Sequence, residues 1–365
     1  MRAWYNPRVD SSQGPLRLPV GVISDGKPGH ENQSLGVAEH LPGADILLLR
    51  HRLREGLSEA WLRLRARLSY RNKGPAQQIL KRVFGRDEVK RLISHQPRAV
   101  VAAGTLSAAP CLLVGTLTGA RTCICMKPSM IPLSCFDLAV VPAHDNPPSA
   151  PNVARTLAAP NRVSPARLAA EFERWSAELP EMNRPVLAWI IGGPSSSARF
   201  HEGHVLSGLA ATLKWASERG WGVWLSTARR TPESVEAKIA DSAGKHGAPE
   251  WFLLWHRDQR NPLYAMFHRC ELAIVTSDSV SMIAEAASAG KGPIVYQASD
   301  ETGLRKTKQD RMVEGMLEAG YGDRAATAEA LVETLQRTAD ENRVFPALDD
   351  TTKAAQRLLE ILAQR

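Results

Sequence analysis

The segment from Thr276 to Lys291 places hydroxyl groups and one carboxylate between two apolar runs. The hydroxyls follow a strand-like run, residues 271–275, and a short helical pattern that carries Glu285 comes next. A helix N-terminus offers unpaired N–H groups and a positive dipole to a diphosphate. A carboxylate one or two turns further on can accept hydrogen bonds from a ribose diol. An ordinary capped helix gives the same pattern, because Ser and Asp are favoured N-caps. The candidate nucleotide-binding residues in this segment are Ser277, Asp278, Ser279, Ser281 and Glu285.

Two further turns after apolar runs carry groups that suit an anion. Residues 192–197 follow the run at 186–191, and glycines followed by hydroxyls at a strand end are typical of an anion cradle. Residues 226–232 contain paired arginines, which suit phosphate or carboxylate. Either turn can instead be a plain connection with surface charges. The candidate donor-binding residues outside the first segment are Gly192, Gly193, Ser195, Ser196, Thr227, Arg229, Arg230 and Asn261.

A third loop, residues 25–34, follows the first apolar run of the chain. A helix N-terminus disfavours imidazolium, so His30 is expected to stay neutral and to accept a proton. Asp25 is the other candidate base, and Lys27 can meet a phosphate. A tight turn whose polar residues only cap the helix is the alternative interpretation. The candidates on the acceptor or phosphate side are Gly26, Lys27, Gly29, Glu31, Asn32 and Gln33.

Composition limits the class of protein. The chain has 365 residues, with 44% hydrophobic and 23% charged residues. This length predicts two domains. Residues 99–119 carry no charge, but their Gly, Pro, Ser and Thr content favours a strand and a buried helix over a membrane span. The sequence has no HExxH, no paired CxxC and no DxD flanked by apolar strands, so we expect neither a metal ion nor another cofactor.

Residues 50–98 carry much of the positive charge. They contain 14 Lys and Arg against 4 Asp and Glu, a local net charge of +10 compared with +8 for the whole chain. Apolar residues recur there at largely helical spacing, and a basic amphipathic helix is typical of a surface for anionic membrane or phosphorylated acceptors. A solvated helix face is the alternative. We expect no nucleic-acid partner, because no recognised binding motif accompanies the charge.

Alternating strand and helix patterns predict an α/β fold with two doubly wound Rossmann-like domains. The predicted strands are 18–24, 44–49, 99–103, 121–126, 137–141, 186–191, 222–226, 251–254, 271–275 and 293–296. The predicted domains are an N-terminal arm (1–17), an acceptor domain (18–165) with a basic helical insert (50–98), and a donor domain (166–345). A C-terminal helix (346–365) is expected to pack on the N-terminal domain. Two such domains are expected to face a cleft with their strand ends.

Five segments in order, 24–41, 136–145, 190–197, 226–239 and 261–295, resemble the mitochondrial-fission ELM-type family. The similarity runs from about residue 18 to residue 300. Bacterial members of this family are classed as glycosyltransferases of the outer core of lipopolysaccharide or lipooligosaccharide, and plant members are known as organelle-division factors. The resemblance implies a GT-B architecture.

A more distant likeness is to the N-acetylglucosaminyltransferases that make lipid II. Their first loop ends in Gly-His, as Gly29 and His30 do here, and their donor-binding helix carries a glutamate comparable to Glu285. On this likeness the serines of 277–281 would meet the donor phosphate and Glu285 would meet the ribose. Pro194 departs from their Gly-Gly-Ser loop and removes one N–H donor.

The resulting hypothesis is a metal-independent glycosyltransferase, cytoplasmic and peripheral on the inner membrane. It would move a sugar from a nucleotide-sugar donor to a lipid-linked or lipopolysaccharide acceptor. Two alternatives stay open: a GT-B-fold sugar-nucleotide 2-epimerase, which needs no acceptor, and a non-catalytic membrane-associated adaptor.

Overall fold

The computed structural model describes residues 17–51, 62, 72–195, 199–242, 248–299 and 307–364. Ser196, the N-terminal arm up to residue 16 and residues 52–61 and 63–71 of the basic segment lie outside this set. The chain divides by its contacts into two compact units, residues 1–139 with 354–365, and residues 140–353. The boundary predicted from the sequence lies later, after residue 165. Among the described residues, no helix is both long enough and apolar enough to cross a bilayer.

The first six-stranded sheet is formed by the N-terminal strands. They are β1 (Leu18–Ser24), β2 (Ala44–Arg50), β3 (Ala99–Ala103), β4 (Arg121–Cys125), β5 (Leu138–Pro142) and β6 (Val153–Thr156). Their order is β2-β1-β3-β4-β5-β6, and β1 pairs in parallel with both β2 and β3. The chain therefore adds β2 on one side of β1 and later adds β3 on the other side. The topological switch point lies between β1 and β3.

The second sheet is also six-stranded. Its strands are β7 (Val186–Ile191), β8 (Gly222–Thr227), β9 (Trp251–Leu253), β10 (Leu272–Thr276), β11 (Ile294–Tyr296) and β12 (Asp323–Ala325). The order β12-β11-β10-β7-β8-β9 places the switch point between β7 and β10, which pair in parallel. Alternate residues of β7 belong to two separate apolar clusters, so both faces of this sheet are covered.

The helices follow the α/β alternation. Those before the second sheet are α1 (Pro28–Glu39), α2 (Lys73–Val83), α3 (Arg86–His95), α4 (Gly104–Thr118) and α5 (Pro165–Trp175). Those that follow are α6 (Glu202–Arg219), α7 (Glu233–Ser242), α8 (Leu263–Arg269), α9 (Val280–Ser288), α10 (Lys308–Glu318), α11 (Ala328–Asp340) and α12 (Asp350–Ala363).

The predicted fold class is confirmed, and the predicted strands all exist within about a residue at each end. Among the strands and α-helices of the described residues, β6, α10 and β12 were not predicted. β6 lies in a Pro- and Asn-rich stretch that resembles a linker. β6 has only 4 residues and β12 has only 3. Such short edge strands carry too little alternation to be recognised. Helix α1 begins at Pro28, because Pro is well suited to the first helical turn.

Gly208 lets helix α6 lie directly on the second sheet. A Cβ at this position would approach the Tyr296 ring of β11 to 2.5 Å. Tyr296 is fully buried and its hydroxyl donates to the His204 carbonyl oxygen at 3.0 Å. The ring therefore cannot withdraw without losing this hydrogen bond.

We predict that Gly208→Ala destabilises the protein by about 1–3 kcal/mol, because overpacking outweighs the gain in helix propensity. Thermal unfolding measures the difference, which corresponds to a fall in Tm of roughly 2–4 °C per kcal/mol for a unit of this size. Gly203→Ala on the same helix is the matched control, since a Cβ there meets nothing closer than 3.7 Å. An equal or higher Tm for Gly208→Ala than for the wild type would contradict this packing account.

Candidate functional site

Three loops meet at the carboxyl edge of the second sheet, beside the β7–β10 switch point. They follow the neighbouring strands β10, β7 and β8. The backbone N–H of Gly193 donates to Asp278 Oδ2 at 2.8 Å, and Arg230 Nη2 lies 3.3 Å from the same oxygen. The predicted glycine, arginine and serine-rich segments are therefore brought together around one carboxylate.

The loop after β7 requires glycine at both of its first two positions, 192 and 193. A Cβ on Gly192 would overlap the carboxylate of Asp278, and a Cβ on Gly193 would overlap the carbonyl of Arg230. Thr276 and Thr231 fix the same loop, because Thr276 Oγ1 accepts from the Gly192 N–H at 2.8 Å and Thr231 Oγ1 donates to the Gly192 carbonyl at 2.6 Å. The backbone of this loop is thus held by side chains from both neighbours.

The Asp278 side chain is fully buried. Burial raises the pKa of its carboxyl, and the hydrogen bond from Gly193 and the charge of Arg230 oppose that rise. Arg230 Nη1 also donates to the Pro194 carbonyl oxygen at 3.3 Å. Asp278 and Arg230 therefore hold the loops to one another, and their charged groups are used within the protein.

The N-terminus of α9 begins directly after Asp278. Ser279 occupies the N-cap position, is buried, and its side chain makes no capping hydrogen bond. Ser281 lies in the first turn and is exposed. Ser277 differs, because its Oγ accepts from the Ala298 N–H at 3.0 Å and so has a structural role. The first N–H groups of α9 have no partner within the helix and can meet an anion.

Glu285 lies further along α9 and is 8% exposed. Its Oε1 accepts a hydrogen bond from the Tyr264 hydroxyl at 3.1 Å, and the guanidinium of Arg167 lies 5.6 Å from the centre of the Tyr264 ring. Burial raises the pKa of the Glu285 carboxyl to about 7, while Tyr264 and Arg167 act against the rise. This carboxylate is an acceptor that changes charge near neutral pH.

The remaining predicted residues of this unit have other surroundings. Thr227 Oγ1 donates to Glu236 and accepts from the Trp255 N–H at 2.8 Å, so its hydroxyl is used in holding β8 to the next loop. Asn261 Oδ1 accepts from the Leu263 N–H at 3.1 Å at the start of α8. Arg229 and Ser195 are exposed at the carboxyl edge.

The first unit carries a separate pair of side chains at its own switch point. His30 Nδ1 lies 2.9 Å from Asp25 Oδ2, and the Asp25 side chain is 1% exposed compared with 23% for His30. A carboxylate can only accept, so Nδ1 carries a proton, and in the neutral ring Nε2 keeps its lone pair. The two candidates for the base are therefore one unit, in which Asp25 orients His30.

Gly104, the first residue of α4, provides the space for the imidazole. A Cβ at Gly104 would lie 2.5 Å from His30 Cε1, and the backbone there has φ +76°. Gly104 follows β3 directly, so the loops after β1 and β3 meet on the His30 ring. Gly104 was not among the predicted site residues, although a glycine immediately after a buried strand is a usable signal.

Glu31 and Arg50 brace the same loop. Arg50 donates to Glu31 through Nε and Nη2 at 2.8 and 2.7 Å, and the Ser24 hydroxyl donates to Glu31 Oε2 at 2.7 Å. The Gly26 N–H in turn donates to Ser24 Oγ at 3.0 Å. Glu31 thus ties α1 to the ends of β1 and β2.

The other predicted residues of this loop lie beside the pair. Gly26, Lys27 and Gly29 are exposed, and Lys27 Nζ lies 4.0 Å from Asp25 Oδ2. Asn32 and Gln33 are half-buried on α1. Within the described residues, no three His, Cys, Asp or Glu side chains form a group that could hold a metal ion.

Comparison with solved structures shows the fold. UDP-GlcNAc 2-epimerase from Methanocaldococcus jannaschii superposes with a TM-score of 0.59 and 11% identity, over 96% of this chain and 100% of that one. The Neisseria meningitidis UDP-GlcNAc 2-epimerase bound to UDP-GlcNAc gives 0.51 at 11% identity, with the same coverage. The architecture is therefore of the GT-B type, with two doubly wound α/β sheets.

Comparison of sequences shows the family. A protein of Arabidopsis thaliana named Mitochondrial fission protein ELM1 is 24% identical over 255 residues, which cover 64% of this chain and 56% of that protein. The chain thus aligns with little more than half the length of this relative. The family described as Mitochondrial fission ELM1 matches residues 28–362. Since that match spans nearly the whole chain, the protein belongs to the Mitochondrial fission ELM1 family.

Proposed function

We propose that this protein transfers a sugar from a nucleotide-sugar donor to a hydroxyl group of an acceptor. The observation that carries the proposal is the Asp25–His30 pair, in which a buried carboxylate lies 2.9 Å from Nδ1 of a partly exposed imidazole, whose Nε2 has a lone pair in the neutral ring. This is the arrangement of a general base. The open N-terminus of α9 and the ionisable Glu285 support a nucleotide sugar, which carries a diphosphate and a ribose, as the second reactant.

Each of these groups has one role in the proposed transfer reaction. His30 Nε2 takes the proton of the acceptor hydroxyl as its oxygen bonds to the anomeric carbon of the sugar. The bond from that carbon to the diphosphate oxygen breaks, and the diphosphate leaves with the electron pair. N–H groups at the start of α9 and the cationic Arg229 would stabilise the negative charge of the leaving group, without a metal ion. Asp25 stabilises the imidazolium that forms.

The acceptor is proposed to be lipid-linked or lipopolysaccharide, at the inner surface of the cytoplasmic membrane. Exposed Lys73, Lys81 and Arg86 on α2 and α3 support an electrostatic contact with anionic headgroups. The apolar residues of α2, among them Ile79 and Leu80, are buried in the first unit and are not available for insertion. Contact with the membrane would therefore depend on charge and would weaken with salt.

The proposal predicts that a nucleotide sugar is consumed only when an acceptor is present. A thermal-shift panel of UDP-, GDP-, ADP- and CMP-sugars first identifies the donor, since a ligand that binds the folded state raises Tm. At about 100 times Kd the stabilisation is about 2.7 kcal/mol. Release of the nucleoside diphosphate is then measured with and without a lipid-linked or lipopolysaccharide acceptor.

The outcomes separate three functions. Diphosphate release that depends on the acceptor supports the transferase. Conversion of the sugar nucleotide without any acceptor shows an epimerase, the activity named for the structural relatives above. If no nucleotide sugar changes Tm, the protein is a non-catalytic adaptor and the transferase proposal is wrong.

We predict that His30→Ala lowers turnover by roughly two to four decades, because the acceptor hydroxyl loses its base. Asp25→Asn should lower it by two decades or more, because the amide cannot stabilise the imidazolium. Initial rates at saturating donor measure both effects. His40→Ala is the matched control at the C-cap of the same helix, where Nδ1 lies 2.8 Å from the Gly36 carbonyl oxygen. Turnover of His30→Ala within tenfold of the wild type would remove this residue from catalysis.

The two arginines of residues 226–232 are predicted to differ. Arg230→Ala leaves the buried Asp278 without its cation and should cost about 1–3 kcal/mol of stability. Arg229→Ala should leave stability within about 0.5 kcal/mol, because Arg229 is exposed. Arg229→Ala should nevertheless weaken the binding of the nucleoside diphosphate about tenfold, because a charge-assisted hydrogen bond is lost. Thermal unfolding measures the stability of both variants, and calorimetric titration measures their affinity for the nucleoside diphosphate. A stable Arg230→Ala variant together with a destabilised Arg229→Ala variant would contradict these roles.

A further inference from the structure

The Tyr264 hydroxyl makes a hydrogen bond that the packing of its ring does not require. Its ring packs against the same apolar cluster as Tyr321, and a phenylalanine would fill that space equally well. The hydroxyl, however, lies 3.1 Å from Glu285 Oε1 and donates a hydrogen bond to it. Burial raises the pKa of Tyr264 well above its usual value, so the hydroxyl remains a donor.

Three helices bring charged and polar groups to this carboxylate. Tyr264 comes from α8, Arg167 comes from α5, and Glu285 itself lies on α9. Arg167 lies above the Tyr264 ring and 3.7 Å from Glu171 on its own helix. Arg162, just before α5, also acts on the Tyr264 hydroxyl. The Tyr264 hydroxyl and Arg167 both favour the ionised carboxylate, whereas burial disfavours it.

We propose that Tyr264 is a positioning residue for nucleotide recognition, whose hydroxyl holds the Glu285 carboxylate in the orientation that accepts hydrogen bonds from a ribose diol. This inference rests on the proposed function, because it assumes that Glu285 meets a nucleotide. One oxygen of Glu285 is fixed by Tyr264, so the direction of the other is fixed as well. Without the hydroxyl the carboxylate would rotate and would more often be protonated.

The test uses the full chain and whichever of UDP, GDP and ADP binds it, together with the 2′-deoxy form of the same nucleotide. Calorimetric Kd values are measured from pH 6 to pH 9. The wild type should prefer the ribonucleotide by about tenfold or more, as for a hydrogen bond to a charged group. Its affinity should rise with pH through about 7, because binding requires ionised Glu285.

Tyr264→Phe should reduce the ribose preference to within about threefold and move the pH midpoint upward, since the group that favours the ionised carboxylate is gone. Glu285→Gln should abolish both the preference and the pH dependence. Tyr321→Phe, which removes a hydroxyl elsewhere in the same unit, should change neither. If Tyr264→Phe does not fold, Arg167→Gln gives the same two readouts and should also move the pH midpoint upward.

The test distinguishes a failure of the role of Tyr264 from a failure of the proposed function. A folded Tyr264→Phe variant with the wild-type ribose preference and pH midpoint would overturn the role of Tyr264 and leave the proposed function intact. Absence of binding of all three nucleotides to the wild type at millimolar concentration would overturn the proposed function and this inference with it.

Discussion

The second unit depends on the buried carboxylate of Asp278. Its oxygen meets the Gly193 N–H and the Arg230 guanidinium, so the loops after β10, β7 and β8 share one centre. A buried charge is tolerated only when it is paired and hydrogen-bonded. The partners of Asp278 therefore have little freedom, and the start of α9, which follows Asp278 directly, is fixed in place with them. The rigidity of the proposed anion site follows from this one constraint.

The first unit uses the same principle with a different result. Asp25 is buried at the end of β1, and its partner is the imidazole of His30. Gly104 leaves room for the ring, just as Gly192 leaves room for Asp278. In both units a glycine after a neighbouring strand admits a polar group that any larger residue would displace. The consequence for chemistry differs, because the His30 side chain is 23% exposed whereas the Asp278 side chain is fully buried.

Sequence patterns located the loops that follow the strands, but they did not predict what each side chain contacts. Ser277, Asp278 and Thr227 have the chemical groups of ligand-binding residues, yet their polar atoms are used to join loops within the protein. Tyr264 and Gly104 were not among the predicted site residues, because a tyrosine in an apolar helix and a glycine after a strand are common. Their importance comes from Glu285 and His30, which lie far away along the chain.

The sequence by itself determined the alternation of strands and helices, the position of nearly every strand and the family. Those features depend on local periodicity, on turn residues and on ordered motifs, all of which are present in the linear chain. Only the tertiary structure decided that Asp25 orients His30, that Arg230 is tied to Asp278 while Arg229 is exposed, and that Tyr264 holds Glu285. These relations depend on burial and on contacts between distant segments. Spacing along a chain does not specify either of them, because they arise only when strands 7, 8 and 10 or strands 1 and 3 lie side by side.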